Sequence, residues 1–322
     1  MIDVVRKEPS MSHRVAAIQK ATARGAHPTR VTMLAIAGDS ASGKTTLTKG
    51  ITQALGAERI ASFCTDDYHR YDREERRGLP FTPLHPECNY LDILEQHLQL
   101  LTLGQSVLKP VYHHSTGTLG RPVLFEPKEI VIVEGLFPLW SKLSRATFDV
   151  TVFLDPPEEV RRRWKIQRDT GKRGYSEDQV LAELERREPE SDAYIRPQRR
   201  NADIVISFAP VAGRTGGDET MSATILLRPT IPHPDLSSVL TGDTRESVHL
   251  KLIRDQDGKP VDALHVHGHA PTEVTQVVEE VLWDHIGLPG PIPEPLGVIG
   301  PGKRSASLAI AQLLLIYHLI HA

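Results

Sequence analysis

Residues 38–45 read Gly38-Asp39-Ser40-Ala41-Ser42-Gly43-Lys44-Thr45, a complete G-x-x-x-x-G-K-T phosphate-binding loop, with Thr46 directly after it. Glycine-rich backbone brings N–H groups close to an anion, Lys44 reaches the terminal phosphates, and the Thr45 hydroxyl is placed to hold Mg2+. These nine residues are the expected contacts of a nucleoside triphosphate.

Three further groups could act on that nucleotide. Asp66 and Asp67 follow an apolar run, and a carboxylate there can take the proton of an attacking hydroxyl. Either could instead cap the next turn, so the pair leaves open which one reacts. Glu134-Gly135 closes another apolar run and suits a strand-end acid that holds Mg2+. The stretch Lys165–Tyr175 is dense in cations and carries Gly171 and Gly174 as a possible hinge pair. It suits a lid whose arginines close on phosphates.

The elements that must position these groups alternate. Val31–Ala37 is a β-prone run ahead of the loop, and Leu47, Ile51 and Leu55 recur every four residues on one helix face behind it. Strand-like runs follow at Ile60–Thr65, Ile130–Val133, Val150–Leu154 and Ile204–Phe208, with helical patterns at Leu91–Leu103, Pro157–Arg168 and Ser176–Arg187. Such alternation predicts an α/β fold with a mostly parallel, helix-covered sheet, whose ligands gather at the carboxyl ends of the strands.

After a turn-rich break at 211–219 the pattern changes. Strands are expected at Thr224–Leu227, Val248–Ile253 and Ala263–Val266, with a hairpin turn at Asp255–Gly258. A helix over Pro271–His285 would bury Val274, Val277, Val278, Val281 and Leu282. The reading is therefore an N-terminal extension (1–30, with a helix near Val15–Ala23), a core (31–210) and a smaller α+β extension of the same sheet (211–322). His265, His267 and His269 share one strand face. With no neighbouring Cys or carboxylate they read as ordinary surface or core histidines, not as a metal comb.

Composition bounds the partners. The 322 residues carry a formal charge of −3, with 25% charged and 39% hydrophobic residues, which gives no electrostatic reason to expect nucleic acid or a membrane surface. Two cysteines, Cys64 and Cys88, are too few for a disulfide framework, and a cytoplasmic location is expected. The apolar run Leu308–Ile320 is shorter than the ~20 residues of a membrane span and reads as a buried or interface helix.

Together these segments resemble phosphoribulokinases of the phosphoribulokinase/uridine kinase family of P-loop kinases. The resemblance rests on Asp66-Asp67-Tyr68-His69 with Asp72-Arg73, Lys109–Gly117, Glu134-Gly135-Leu136, Trp164–Asp169 with Arg173-Gly174, and Tyr194–Gln198. It implies transfer of phosphate from Mg-ATP to the 1-hydroxyl of ribulose 5-phosphate by a homodimer. It further implies Asp66 as the base, with Lys44, Arg168 and Asp169 also catalytic. His69, Arg73, Tyr112, His114, Lys165 and Arg173 would bind the sugar phosphate, and Thr45 and Glu134 would hold Mg2+. A uridine/cytidine kinase is the alternative acceptor reading, and a nucleotide-dependent regulatory protein the non-enzymatic one. Two departures stand out: Ala41 and Ser42 replace the regulatory thiol of the plant-type phosphate loop, and His113 stands where Asn is common.

Overall fold

The computed structural model describes residues 30–211, 220–237, 240 and 247–322. Nearly all of the expected N-terminal extension, including the helix near Val15–Ala23, and most of the 211–219 break lie outside the described residues.

In chain order, β1 (Thr32–Gly38) runs through the phosphate loop into α1 (Lys44–Leu55), and β2 (Ile60–Cys64) ends in a 3-10 turn, Thr65–Tyr68. Next come α2 (Leu91–Thr102), the hairpin β3 (Val107–His113) and β4 (Thr118–Phe125), β5 (Ile130–Gly135), α3 (Lys142–Arg145) and β6 (Val150–Leu154). Two long helices follow, α4 (Glu158–Arg173) and α5 (Glu177–Glu190), then a π-helical turn at Ser191–Ile195 and β7 (Ile204–Pro210). The last part holds β8 (Met221–Leu227), β9 (Val248–Arg254), β10 (Pro260–Val266), α6 (Thr272–Ile286), the short pair β11 (Val298–Gly300) and β12 (Lys303–Arg304), and α7 (Ala306–Ile320).

One eight-stranded sheet, in the order β2-β5-β1-β6-β7-β8-β10-β9, organises the described residues. From β2 to β7 the pairs are parallel; β8, β10 and β9 then join antiparallel. The alternation of β1 explains why its residues Met33 to Ala37 are all apolar. Leu34 and Ile36 enter the core shared with α1, α6 and α7, while Met33, Ala35 and Ala37 enter the core shared with α2. A strand buried on both faces reads as a continuous hydrophobic run.

Two expectations need correction, and a third is narrowed to one of its alternatives. The face of α6 is rotated: Val277 is exposed, and Thr275, Glu279, Trp283 and Ile286 are buried beside Val278 and Leu282. Glu279 can be buried because Arg304 forks onto its carboxylate. Gly171 is no hinge, since α4 continues through it to Arg173. Gly174, at φ 74°, closes the helix in the left-handed conformation glycine adopts readily. The apolar α7 is covered by its own chain, packing on α1, β8 and α6, so its composition reflects burial within one protomer. Among the described residues no helix is long and apolar enough to cross a membrane.

Candidate active site

The loop forms where β1 ends. Gly38 has φ 150°, and a Cβ there would lie 2.8 Å from the Leu154 carbonyl, so only glycine lets the chain leave the sheet at this point. Ala41 takes φ 67°, the only positive φ at a non-glycine among the described residues. Lys44 Nζ donates to the carbonyls of Gly38 and Asp39, both at 2.8 Å. Burial lowers its pKa, against the opposing pull of Glu134, Cys64, Asp66 and Asp39.

Across the loop, β5 delivers Glu134. Thr45 Oγ1 donates to Glu134 Oε1 at 3.1 Å, while Glu134 Oε2 is buried with no hydrogen-bond partner. Burial raises the pKa of this carboxyl despite Lys44 and Thr45 beside it. An orphaned carboxylate oxygen next to a hydroxyl fits a hard divalent cation. Mg2+ in nucleotide sites commonly takes only one or two protein oxygens and completes its shell with phosphates and water. Among the described residues no group of three or more His, Cys, Asp or Glu side chains could hold a metal.

The two aspartates part company. Asp67 is fully engaged: Lys109 Nζ donates to Oδ2 and the Tyr112 N–H to Oδ1 at 3.0 Å. Neither aspartate caps the turn that carries them. Asp66 is left facing the site with His114 Nε2 at 3.5 Å. Burial alone would raise its pKa, but the neighbouring imidazoles of His69 and His114 and the cations Lys44 and Arg173 outweigh it and hold the carboxyl below its ordinary value.

The β3–β4 hairpin, not expected as strands, forms the opposite wall. Pro110 and Pro122 lower its strand signal, yet proline is tolerated where both strands of a ribbon are edges. Arg73 grips the hairpin turn: its N–H donates to Gly117 O and its Nη2 to His114 O, both at 2.7 Å. Tyr112 is buried; Arg76 donates to its hydroxyl at 2.6 Å and lies over its ring. His69 Nδ1 bonds Asn89 Oδ1 at 2.8 Å, and burial pushes its pKa down to about 4. His69 therefore contributes a hydrogen bond and no charge near neutral pH. His114, half-exposed on the same wall, is also lowered by burial.

From the other side, α4 turns a charged face inward. Asp169 collects Lys165 at 2.8 Å, Arg168 at 2.8 Å and Arg173 at 3.4 Å. Burial holds Lys165 down to about 8, whereas for Asp169 the pull of Arg168 and Lys165 overcomes burial and gives about 2. Arg168 Nη2 also reaches Ser40 Oγ at 3.2 Å, joining this face to the phosphate loop. Lys165 is buried against Asp169.

Sequence reasoning missed Arg161 and Ser191. Arg161 Nη1 donates to Ser40 O at 3.1 Å and lies 3.4 Å from Asp39 Oδ2, and Ser191 Oγ donates to that same carboxylate oxygen. The available signal was spacing: 161, 165, 168 and 169 fall on one helix face, and that face is polar although it points inward. Cys64 lies beside the cluster, where burial and the Asp66 and Glu134 carboxylates hold its thiol well above the ordinary range; burial takes Cys88 to about 11. Away from this site, His265 bonds Thr224 at 3.1 Å and His269 bonds Thr220 at 3.2 Å.

Residues 33–213 match the Phosphoribulokinase / Uridine kinase family. The chain is similar to the phosphoribulokinase of a Synechocystis strain, 41% identical over 181 residues, which are 56% of this chain and 54% of that protein. It is also similar to a Staphylococcus aureus uridine kinase, 34% identical over 181 residues, 54% of this chain and 86% of that one. The chain spans about half the length of the curated phosphoribulokinases it matches. Its fold is like that of phosphoribulokinase from Rhodobacter spheroides, with a TM-score of 0.56 at 20% identity, covering 80% of this chain and 97% of that one. The chain belongs to the phosphoribulokinase/uridine kinase family.

Proposed function

We propose that this chain is an ATP-dependent sugar-phosphate kinase that phosphorylates the 1-hydroxyl of ribulose 5-phosphate. The observation that carries the reading is the setting of Asp66. It is the aspartate of its pair that Lys109 and the Tyr112 N–H do not hold, and Lys44 of the phosphate loop, His114 of the hairpin and Arg173 of α4 all act on it. A base held ionised beside a phosphate lysine suits phosphoryl transfer, where catalysis is mainly positioning and charge neutralisation.

In the proposed reaction the phosphate loop and Lys44 hold the triphosphate, and Arg168 sits by Ser40 to balance its charge. Asp66 takes the proton of the acceptor hydroxyl as that oxygen bonds to the γ-phosphorus. The bond to the β-phosphate oxygen breaks and ADP leaves. Mg2+, held by Thr45 and Glu134, would neutralise phosphate charge. Arg73 and Arg173 supply cations for a 5-phosphate, which a neutral nucleoside acceptor would not need. The 41% identity to a phosphoribulokinase against 34% to a uridine kinase favours the same acceptor. A homodimer in a cytoplasmic setting, serving carbon fixation, completes the reading.

A coupled assay of ADP release with ribulose 5-phosphate and with uridine tests it. Turnover with the sugar phosphate alone is expected, and equal or greater turnover with uridine would overturn it. No turnover with either acceptor would favour a nucleotide-dependent regulatory role.

A further inference from the structure

Two residues break the pattern of the helices that carry them. Gly50 is buried in the middle of α1, a position where glycine is the least favoured residue after proline. Gln312 is buried in the middle of α7 among leucines and isoleucines, where an amide must find partners. The two anomalies explain each other. A Cβ on Gly50 would lie 2.0 Å from Gln312 Nε2, so the glycine is the notch into which the amide fits.

From that notch Gln312 reaches two elements. Its Nε2 donates to the carbonyls of Leu47 at 3.3 Å and Thr46 at 3.4 Å, and its Oε1 accepts from the Gly297 N–H at 2.7 Å. The N–H groups of Thr46 and Leu47 both donate to Gly43 O at 3.1 Å. The first turn of α1, which carries Lys44 and Thr45, is thus tied to the phosphate loop on one side and to α7 on the other.

We propose that Gln312, seated against Gly50, is a positioning residue of the nucleotide site. It touches no reacting atom. Apolar contacts between α1 and α7 are non-directional and allow the helices to slide or roll. An amide with three partners on two elements, filling a one-atom notch, fixes the register of α1 and hence the height of Lys44 and Thr45. Its contacts to α1 are long, so the constraint comes more from the fit than from bond strength. The inference rests on reading Gly38–Thr46 as the nucleotide loop.

The test is a double-mutant cycle read by equilibrium ADP binding well below each variant's Tm, with the KM of the acceptor measured alongside. Gln312→Leu keeps volume and loses the amide; it is expected to weaken ADP about fivefold while the acceptor KM stays within about twofold. Gly50→Ala is expected to do the same in the wild-type background and to add nothing beyond about twofold in Gln312→Ala, where the clash is gone. If Gly50→Ala alone does not fold, the double variant is compared with Gln312→Ala: equal Kd supports the proposal and a further loss overturns it. Variants that lower Tm but bind ADP like the wild type would reduce Gln312 to a packing residue and overturn it too. A wild-type chain that does not bind ADP would remove the nucleotide reading and this inference with it.

Discussion

On the proposed donor side, nine consecutive residues supply the site, and their backbone does most of the work: Gly38 turns the chain, Gly43 starts α1, and Lys44 folds onto the carbonyls of Gly38 and Asp39. On the proposed acceptor side, Asp66, His69, Arg73, Tyr112 and His114 come from two segments about forty residues apart. They meet because Lys109 and the Tyr112 N–H fasten the β3–β4 hairpin to Asp67, and because Arg73 grips the hairpin turn. A backbone-built site leaves a local motif, whereas a side-chain-built site leaves scattered residues whose meaning depends on a distant contact. The two sides should therefore respond differently to substitution.

The largest expected effect separates the paired aspartates. Asp66→Asn should lower kcat by about 10²–10⁴-fold while ADP binding is retained, as for loss of a general base. Asp67→Asn should instead loosen the hairpin, lowering Tm and raising the acceptor KM with a smaller effect on kcat. The reverse pattern would mean that Asp67 is the base and that its bonds to the hairpin have been given the wrong role.

Next in size is Arg73→Ala. Losing a charged group worth about 1.5–3 kcal/mol should raise the acceptor KM by roughly 10–100-fold and leave the ATP KM unchanged. Parallel rises in both constants would show that the two sides are one mechanical unit.

A pH series sharpens the contrast further, because the acceptor wall holds a buried neutral imidazole. The ordinary histidine value is 6.5 and His69 stands at about 4 in the fold. Between those values the unfolded chain binds a proton that the folded chain does not, so stability falls as pH drops through that window. The slope is at most about 1.4 kcal/mol per pH unit from this group. Urea unfolding of wild type and His69→Gln at pH 7, 5.5 and 4.5 should show the wild type losing more stability on acidification. Equal losses would mean that His69 titrates normally.

The smallest effect belongs to the donor side. Ala41 holds a left-handed φ that costs an L-residue about 1–2 kcal/mol, partly offset in glycine by its greater freedom when unfolded. Ala41→Gly should thus raise stability by about 0.5 kcal/mol or leave it level, checked by Tm with and without ADP. A clear loss would mean that the alanine methyl makes a contact the loop relies on.

How much of this could be read in advance follows the same division. The loop, the strand–helix alternation and the antiparallel wing are legible because each is a local pattern of apolar spacing or turn residues. The hairpin was hidden by Pro110 and Pro122, which argue against strands except in a two-stranded ribbon. Arg161 was hidden because a charged helix face ordinarily means solvent, and here it means contact with Ser40 and Asp39. Gly171 misled in the opposite way: two glycines near a helix end suggest a hinge, but only Gly174 takes the left-handed conformation that ends α4. Apart from the family resemblance, Asp66 could be separated from Asp67 only through the hairpin that claims the second.

Gln312 lies 266 positions beyond Thr46, the residue whose carbonyl it holds. Chains are made from the N-terminus at about 5–20 residues per second, so roughly ten to fifty seconds separate synthesis of the phosphate loop from synthesis of the residue that fixes its helix. During that interval the face of α1 that α7 will cover, around Gly50, is without that partner. A nascent chain arrested before residue 312 should accordingly expose this face to chaperones and hold nucleotide poorly, although every residue of the loop has already been made.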